Sequence, residues 1–234
     1  MPRFFRAFRT DSAFLAQVRR YNRRDGWCAV LLFLLVMAVY YAAGLLMRYG
    51  GLYVGVPMNL LLTAACVALT LLRGGTLASL GLTARNAGKS ALLGLISGML
   101  FLALDGVLPG LRAGRALAPL PKLLGELLYY VFVIALMEEV VFRGYILTRI
   151  QGLLRSGWAA TLMTGVMFVA MHIPFQMGRQ GLGLIAFIQG NLFWFLTLFV
   201  WHLVFTFLYR KYANLLAPTI FHALMDFGGS LFLP

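Results

Sequence analysis

The side chains best suited to acid–base chemistry in this chain lie inside apolar stretches of sequence. Five of its 7 acidic residues and all 3 histidines are placed in this way. They are Asp105, Glu126, Glu138, Glu139, Asp226, His172, His202 and His222. A carboxylate within hydrocarbon costs about 2.5–3.5 kcal/mol or more, so such residues normally face a polar cavity or a partner. The pattern therefore predicts a buried polar site.

The densest cluster is the pair Glu138 and Glu139. Glu139 and Arg143 are four residues apart, so on a helix they share one face and can neutralise each other. Glu138 points about 100° away and lacks that partner. An unpaired buried carboxylate is suited to proton transfer, so we predict a functional role for Glu138 and a mainly structural one for Glu139. Both glutamates could instead serve one structural network around Arg143.

A helical hairpin predicts a partner for Glu138. The loop 151–157 should turn the chain between two antiparallel helices, and Arg155 lies in that loop. Glu138 lies 17 residues before Arg155 and His172 lies 17 residues after it, so both side chains should lie about 20 Å from that end of the helices. Phe168 lies one helical turn from His172 and should pack beside it.

The last apolar stretch places two more polar residues in the same layer. Measured from a turn near Lys211, His222 and Asp226 should lie about 16–22 Å along a helix, on one face. Glu138, His172, His222 and Asp226 can therefore converge on one pocket. The remaining histidine, His202, lies on the sixth stretch. We find no polar partner for it at helical spacing in the sequence, and we interpret it as structural.

The composition defines the elements that must position these residues. Of 234 residues 62% are hydrophobic and 12% are charged, with a mean hydropathy of +0.86, which excludes a soluble domain, a disordered chain and a disulfide scaffold. Hydropathy indicates seven spans: 27–47, 54–72, 90–108, 123–152, 158–174, 185–209 and 215–233. The fourth and sixth are long enough to be broken. We predict an all-α, polytopic membrane bundle of seven to eight transmembrane helices over residues 27–234.

Residues 1–26 are rich in arginine and phenylalanine, which predicts a basic amphipathic helix on anionic lipid headgroups. No nucleic-acid-binding motif accompanies the arginines, so we expect no nucleic-acid partner. A cytoplasmic N-terminus places most of the 20 lysines and arginines on the inner side. The short, arginine-rich chain indicates a bacterial inner membrane protein.

Three motifs occur in series: EEVVFR at 138–143, FVAMH at 168–172 and HALMD at 222–226. This order and spacing resembles the CAAX protease and bacteriocin-processing family, also called CPBP or Abi, over approximately residues 80–230. The flanking sequences FRGYIL and LYRKYANLLAPTIFHAL are also similar to that family.

The resemblance implies a glutamate-dependent intramembrane endopeptidase that cleaves a membrane-associated peptide or protein tail. By position, Glu138 would be the general base, His172 its partner in activating water, and His222 and Asp226 the holders of the oxyanion. Asp226 could act as a protonated donor, or as a carboxylate that orients His222 so that its other N–H faces the substrate. Glu139, Arg143 and Phe168 would be supporting residues.

Two alternatives remain open. The four catalytic candidates could ligate zinc in principle, although we expect no metal cofactor. The chain could also be a non-catalytic membrane protein, such as an immunity factor, assembly partner or small transporter, that keeps the polar core for structure. We favour the protease because no motif residue is lost and the inverted repeats of transporters are not evident. Zinc-protease and aspartyl-protease motifs are absent from the sequence, and nothing places a histidine as a base for Ser230.

Overall fold

The computed structural model describes residues 9–233, which form helices and connecting turns with no β-strand among them. The helices are α1 (Ser12–Val18), α2 (Arg23–Gly50), α3 (Gly55–Leu72), α4 (Ala87–Arg112), α5 (Leu120–Leu154), α6 (Gly157–Gln180), α7 (Leu184–Gly190), α8 (Leu192–Tyr212) and α9 (Leu216–Phe227). Six of them, α2 to α6 and α8, are long and apolar enough to cross a membrane. The predicted all-α polytopic membrane fold is confirmed.

The seventh predicted span, 215–233, has a different form from the other six. Its helix α9 has 12 residues and is about 18 Å long, shorter than the ~30 Å hydrocarbon layer. The Leu215 N–H bonds to the Gly81 carbonyl in the α3–α4 loop, while the Ala118 N–H in the α4–α5 loop bonds to the Leu231 carbonyl. The segment therefore runs from one end of the bundle to the other, but only part of it is α-helical. Among the described residues, six helices are therefore long enough to cross a membrane and a seventh is shorter, and the prediction of seven to eight crossings stays a prediction.

The first long helix begins before the apolar stretch that predicted it. The Asn22 side chain accepts hydrogen bonds from the backbone N–H groups of Arg24 and Asp25, and the Asp25 carboxylate accepts one from the Asn22 N–H. This capping box starts α2 at Arg23, so the last arginines of the predicted surface segment belong to the first turn of a spanning helix.

The N-terminal segment is described only from residue 9 onward. Its helix α1 buries Phe14 completely, with the ring edge-on to Tyr209 at a centroid distance of 5.6 Å, while Leu15 is exposed. The first eight residues, with several of the arginines and phenylalanines of the predicted interfacial helix, lie outside the described part. Contact of this segment with lipid headgroups stays a prediction.

Two π-helical stretches, Tyr130–Ala135 and Glu139–Ile146, flank Glu138 within α5. Such wider turns are frequent at functional sites, and they loosen the regular backbone bonding. The Asn59 side-chain amide, on α3, donates to the Val133 carbonyl at 3.1 Å and so gives a backbone carbonyl of the first stretch a hydrogen-bond partner.

Close approach of α9 to α4 brings the last motif against the bundle. An added Cβ at Gly94 would lie 2.6 Å from the Ala217 carbonyl oxygen, and one at Gly98 would lie 2.8 Å from a Leu224 methyl carbon. Two glycines one turn apart therefore let the backbones of the two helices touch.

Candidate active site

The hairpin between α5 and α6 places Glu138 and His172 at one depth, as predicted. Glu138 Oε1 lies 3.9 Å from His172 Nε2, and Glu138 Oε2 lies 3.8 Å from His222 Nε2 on α9. Both distances are longer than a hydrogen bond. Glu138, which the sequence left without a partner, therefore lies between two imidazoles.

His222 has a carboxylate beside each ring nitrogen. Its Nδ1–H donates to Glu139 Oε1 at 3.0 Å, and its Nε2 lies 3.4 Å from Asp226 Oδ2. The ring is stacked on Phe205 at 4.5 Å. The four candidates from three motifs thus converge, each within 3.9 Å of the next. Because Nδ1 faces Glu139, the hypothesis that the other N–H of His222 faces the substrate while Asp226 holds the ring does not fit this geometry.

Glu139 and Arg143 form the predicted i,i+4 ion pair. Their Oε1 and Nη1 atoms are 3.2 Å apart, and both side chains are fully buried. The guanidinium carbon also lies 4.3 Å from the Phe168 ring centroid and 4.9 Å from that of Phe205. Since the same Glu139 oxygen accepts from His222, this pair is part of the site as well as of the bundle core.

The proton arrangement on His172 follows from its contact with the backbone. Nδ1 lies 2.9 Å from the Phe168 carbonyl oxygen, which can only accept, so Nδ1 carries a hydrogen. In the neutral ring, Nε2 then presents a lone pair toward Glu138. Phe168 and Trp194 pack edge-on to the ring at 5.1 and 5.7 Å. Trp194, on α8, was missed by sequence reasoning because no motif marks it among the other aromatic residues of its segment.

The site is closed on one side and open on the other. The side chains of Glu139 and Arg143 are 0% exposed, whereas those of His172 and Asp226 are 19% and 28% exposed. A substrate can therefore reach Glu138 past His172 and Asp226.

The other acid and histidine candidates from the apolar stretches, His202, Asp105 and Glu126, form no ion pair with this group in the part of the chain that the structure describes. His202 is fully buried, and its Nε2 lies 3.1 Å from the Thr161 carbonyl oxygen and 3.3 Å from the Thr206 hydroxyl. The expectation that His202 lacks a spaced polar partner was wrong, since Thr206 is one turn away. Asp105 is exposed on α4 and Glu126 is half-buried on α5, and within the described residues neither forms an ion pair with the site.

A metal centre would require three or four donors directed at one point. Among residues 9–233 no group of three or more His, Cys, Asp or Glu side chains is arranged to hold a metal ion. In particular, both nitrogens of His222 are directed at carboxylates. That the protein needs no metal cofactor stays a prediction, which elemental analysis tests.

Comparison with known proteins agrees with the motif series. Residues 120–228 match the family model described as type II CAAX prenyl endopeptidase Rce1-like. Neither the curated proteins nor the solved structures gave a match to the chain. The matched segment runs from α5 to α9 and carries all seven predicted catalytic and supporting residues. Residues 120–228 are therefore similar to the Rce1-like family, and this similarity supports an intramembrane protease of the CAAX type.

Proposed function

We propose that this protein hydrolyses a peptide bond in a membrane-associated peptide or protein tail, with Glu138 as the general base. One observation carries the proposal: the Glu138 carboxylate is buried between His172 and His222, at 3.9 and 3.8 Å. A carboxylate and an imidazole at this spacing can hold and deprotonate a water molecule.

The gap between Glu138 and His172 suits one water molecule. A water about 2.8 Å from Glu138 Oε1 and from His172 Nε2 bridges the two atoms. Glu138 takes one proton from it, the water oxygen attacks the carbonyl carbon of the scissile bond, and His172 Nε2 accepts the second hydrogen bond. The Phe168 carbonyl keeps His172 in the tautomer that this step needs.

The tetrahedral intermediate carries negative charge on the former carbonyl oxygen, which needs donors. An imidazolium form of His222 would donate Nδ1–H to Glu139 and Nε2–H to this oxyanion. Asp226, one turn further along α9, would donate if it is protonated. When the C–N bond breaks, the proton held by Glu138 passes to the leaving nitrogen, giving a carboxylic acid, an amine and the original Glu138 carboxylate; the acid then loses its proton to solvent.

The substrate enters on the open side of the site. The family description names prenyl endopeptidases, so a lipid-modified tail is the first substrate to test. The same peptide with and without a prenyl group would show whether this chain requires one.

Replacement of Glu138 by glutamine tests the assignment. Glu138→Gln keeps the size of the side chain but removes the base, so we expect cleavage to fall by about 10² or more while the protein stays folded. Glu126→Gln, on the same helix but away from the site, is the matched control. His172→Ala should fall similarly, and the double variant should be little worse than either single one, because the two residues act as a unit. Normal turnover by purified Glu138→Gln protein would refute the proposal.

A further inference from the structure

A second polar cavity, separate from the active site, opens at the end of the bundle where α2 begins and α3 and α5 end. Its volume is about 420 Å³, within the range of pockets that hold small ligands. Tyr145 and Arg149 of α5 form one wall, and residues 20–25 and 73–76 form much of the rest. Tyr145 lies seven residues after Glu138, about 10 Å further along the helix.

The lining of this cavity is unbalanced in charge. Among the described residues, three arginines line it, Arg20, Arg73 and Arg149, with Asp25 as the only acid. Asp25 is also already engaged, since its two oxygens accept from Arg73 at 2.9 Å and from the Asn22 N–H at 2.9 Å. The cavity therefore keeps a formal excess of two positive charges.

Arg149 is the buried member of the three arginines. It is 4% exposed, and its guanidinium donates to the Gly144 carbonyl at 3.0 Å and to the hydroxyls of Thr148 and Thr70 at 2.9 and 3.3 Å. Three of the five N–H donors are thus directed at neutral acceptors, and two remain. Among the described residues no carboxylate lies within 4 Å of it, in contrast to Arg143 one and a half turns earlier.

The position of Arg149 is fixed before any ligand arrives. Its guanidinium carbon lies 4.0 Å from the Tyr145 ring centroid and 4.7 Å from that of Tyr21, so the group is held between two aromatic rings. Arg20 and Arg73 are exposed at the mouth. A buried, oriented guanidinium with two exposed arginines at the mouth above it is suited to an anion that enters from the surface.

We propose that this cavity binds a phosphate group, with Arg149 at its base and Arg20 and Arg73 closing over it. Phosphate is the anion that fits best, because its several oxygens can accept from three guanidinium groups at once. A phospholipid headgroup and a small soluble phosphate share this chemistry, and the experiment has one arm for each source.

The first arm measures inorganic phosphate. The full-length protein, in an uncharged detergent, is titrated with sodium phosphate against sodium chloride of equal ionic strength, and its thermal midpoint and heat of binding are followed. Arg149→Gln should weaken phosphate binding about tenfold or more. Because Arg149→Gln also disturbs the Gly144 turn, Arg73→Gln and Arg20→Gln, both at the exposed mouth, provide the second test.

The matched control is Arg19→Gln, an exposed arginine next to Arg20 that does not line the cavity. It should leave phosphate binding unchanged. Asp25→Asn should instead strengthen binding by about threefold, because it removes the only negative charge from the lining.

The second arm places wild type and variants in nanodiscs of phosphatidylcholine, with or without phosphatidylglycerol, and measures retained lipid by native mass spectrometry. Retention of phosphatidylglycerol that Arg149→Gln or Arg73→Gln abolishes would assign the site to a headgroup, while binding of inorganic phosphate alone would assign it to a soluble phosphate. Failure of both probes to bind overturns the proposal. Equal losses in Arg19→Gln and the cavity variants would also overturn it, since binding would then follow surface charge alone.

Discussion

The buried pair of Glu139 and Arg143 offers the sharpest quantitative test of this architecture. Each side chain is fully buried, their charged atoms are 3.2 Å apart, and Glu139 also accepts from His222. Removing either partner leaves the other as an uncompensated charge in the bundle core. The informative perturbations are Glu139→Gln, Arg143→Met and the two combined.

The expected magnitudes follow from this burial. Breaking a buried ion pair costs about 3–5 kcal/mol, which for a chain of this size lowers the Tm by roughly 6–20 °C. The double variant removes both charges, so its loss of unfolding free energy should be only about 1–3 kcal/mol. This loss comes from the missing aromatic contacts of Arg143 and from the weaker hydrogen-bond acceptor for His222. The coupling free energy between the two positions should therefore be about 3 kcal/mol or more.

Equilibrium unfolding in mixed micelles, followed by tryptophan fluorescence, gives the free energy of unfolding for the four proteins. Peptide cleavage at a temperature where all are folded is measured in parallel. We expect the double variant to regain stability but not full activity, since His222 then faces a neutral acceptor. If the double variant loses as much stability as the two single variants added together, the pair is not the main stabilising contact of Glu139.

Three further outcomes are expected. Asp226→Asn should cleave at near-normal rates with weaker pH dependence above neutrality, because an amide can donate to the oxyanion, and activity below about a tenth of wild type would contradict this. Purified protein should carry far less than stoichiometric zinc and stay active after chelation; activity lost on zinc removal and restored by zinc would reverse the assignment. At the surface, burial alone would raise the pKa of Asp11, but hydrogen bonds from Arg85, Ala13 and Asn86 hold this pKa below its ordinary value of 3.8. Asp11→Asn should therefore lower the Tm at neutral pH. The difference in Tm between wild type and variant should disappear as the pH falls below about 4, where the wild-type carboxylate becomes protonated.

The sequence predicted the parts of the site that depend on helix length and periodicity. Glu138 and His172 are equally far from one turn, and an antiparallel hairpin then fixes their common depth. The contact between Glu139 and His222 depends instead on how α5 and α9 are rotated about their axes. The π-helical turns beside Glu138 alter that rotation, and no residue pattern announces them.

The early end of the helix in the last span was missed for a similar reason. Hydropathy averages over a window, so it stays high from 215 to 233 although α9 ends at Phe227. The paired glycines at 228 and 229 are the sequence signal for that end, because glycine is a poor helix former. Asn22 and Asp25 likewise carried the capping signal for the true start of α2.

The early end of α9 bears on how the proposed hydrolysis could be supplied with water inside a bilayer. Hydrocarbon holds almost no water, yet hydrolysis of one peptide bond consumes one water molecule. Asp226 lies one residue before the end of α9, and backbone that is not helical at such depth is tolerated only inside protein or along a wetted passage. A cavity of about 370 Å³ adjoins that end, lined by Asp105, Arg115 and the glycines at 228 and 229. The early end of α9 thus leaves a cavity with two charged side chains, Asp105 and Arg115, on the α4–α5 loop side of the bundle, and this cavity begins two residues after Asp226 in the chain.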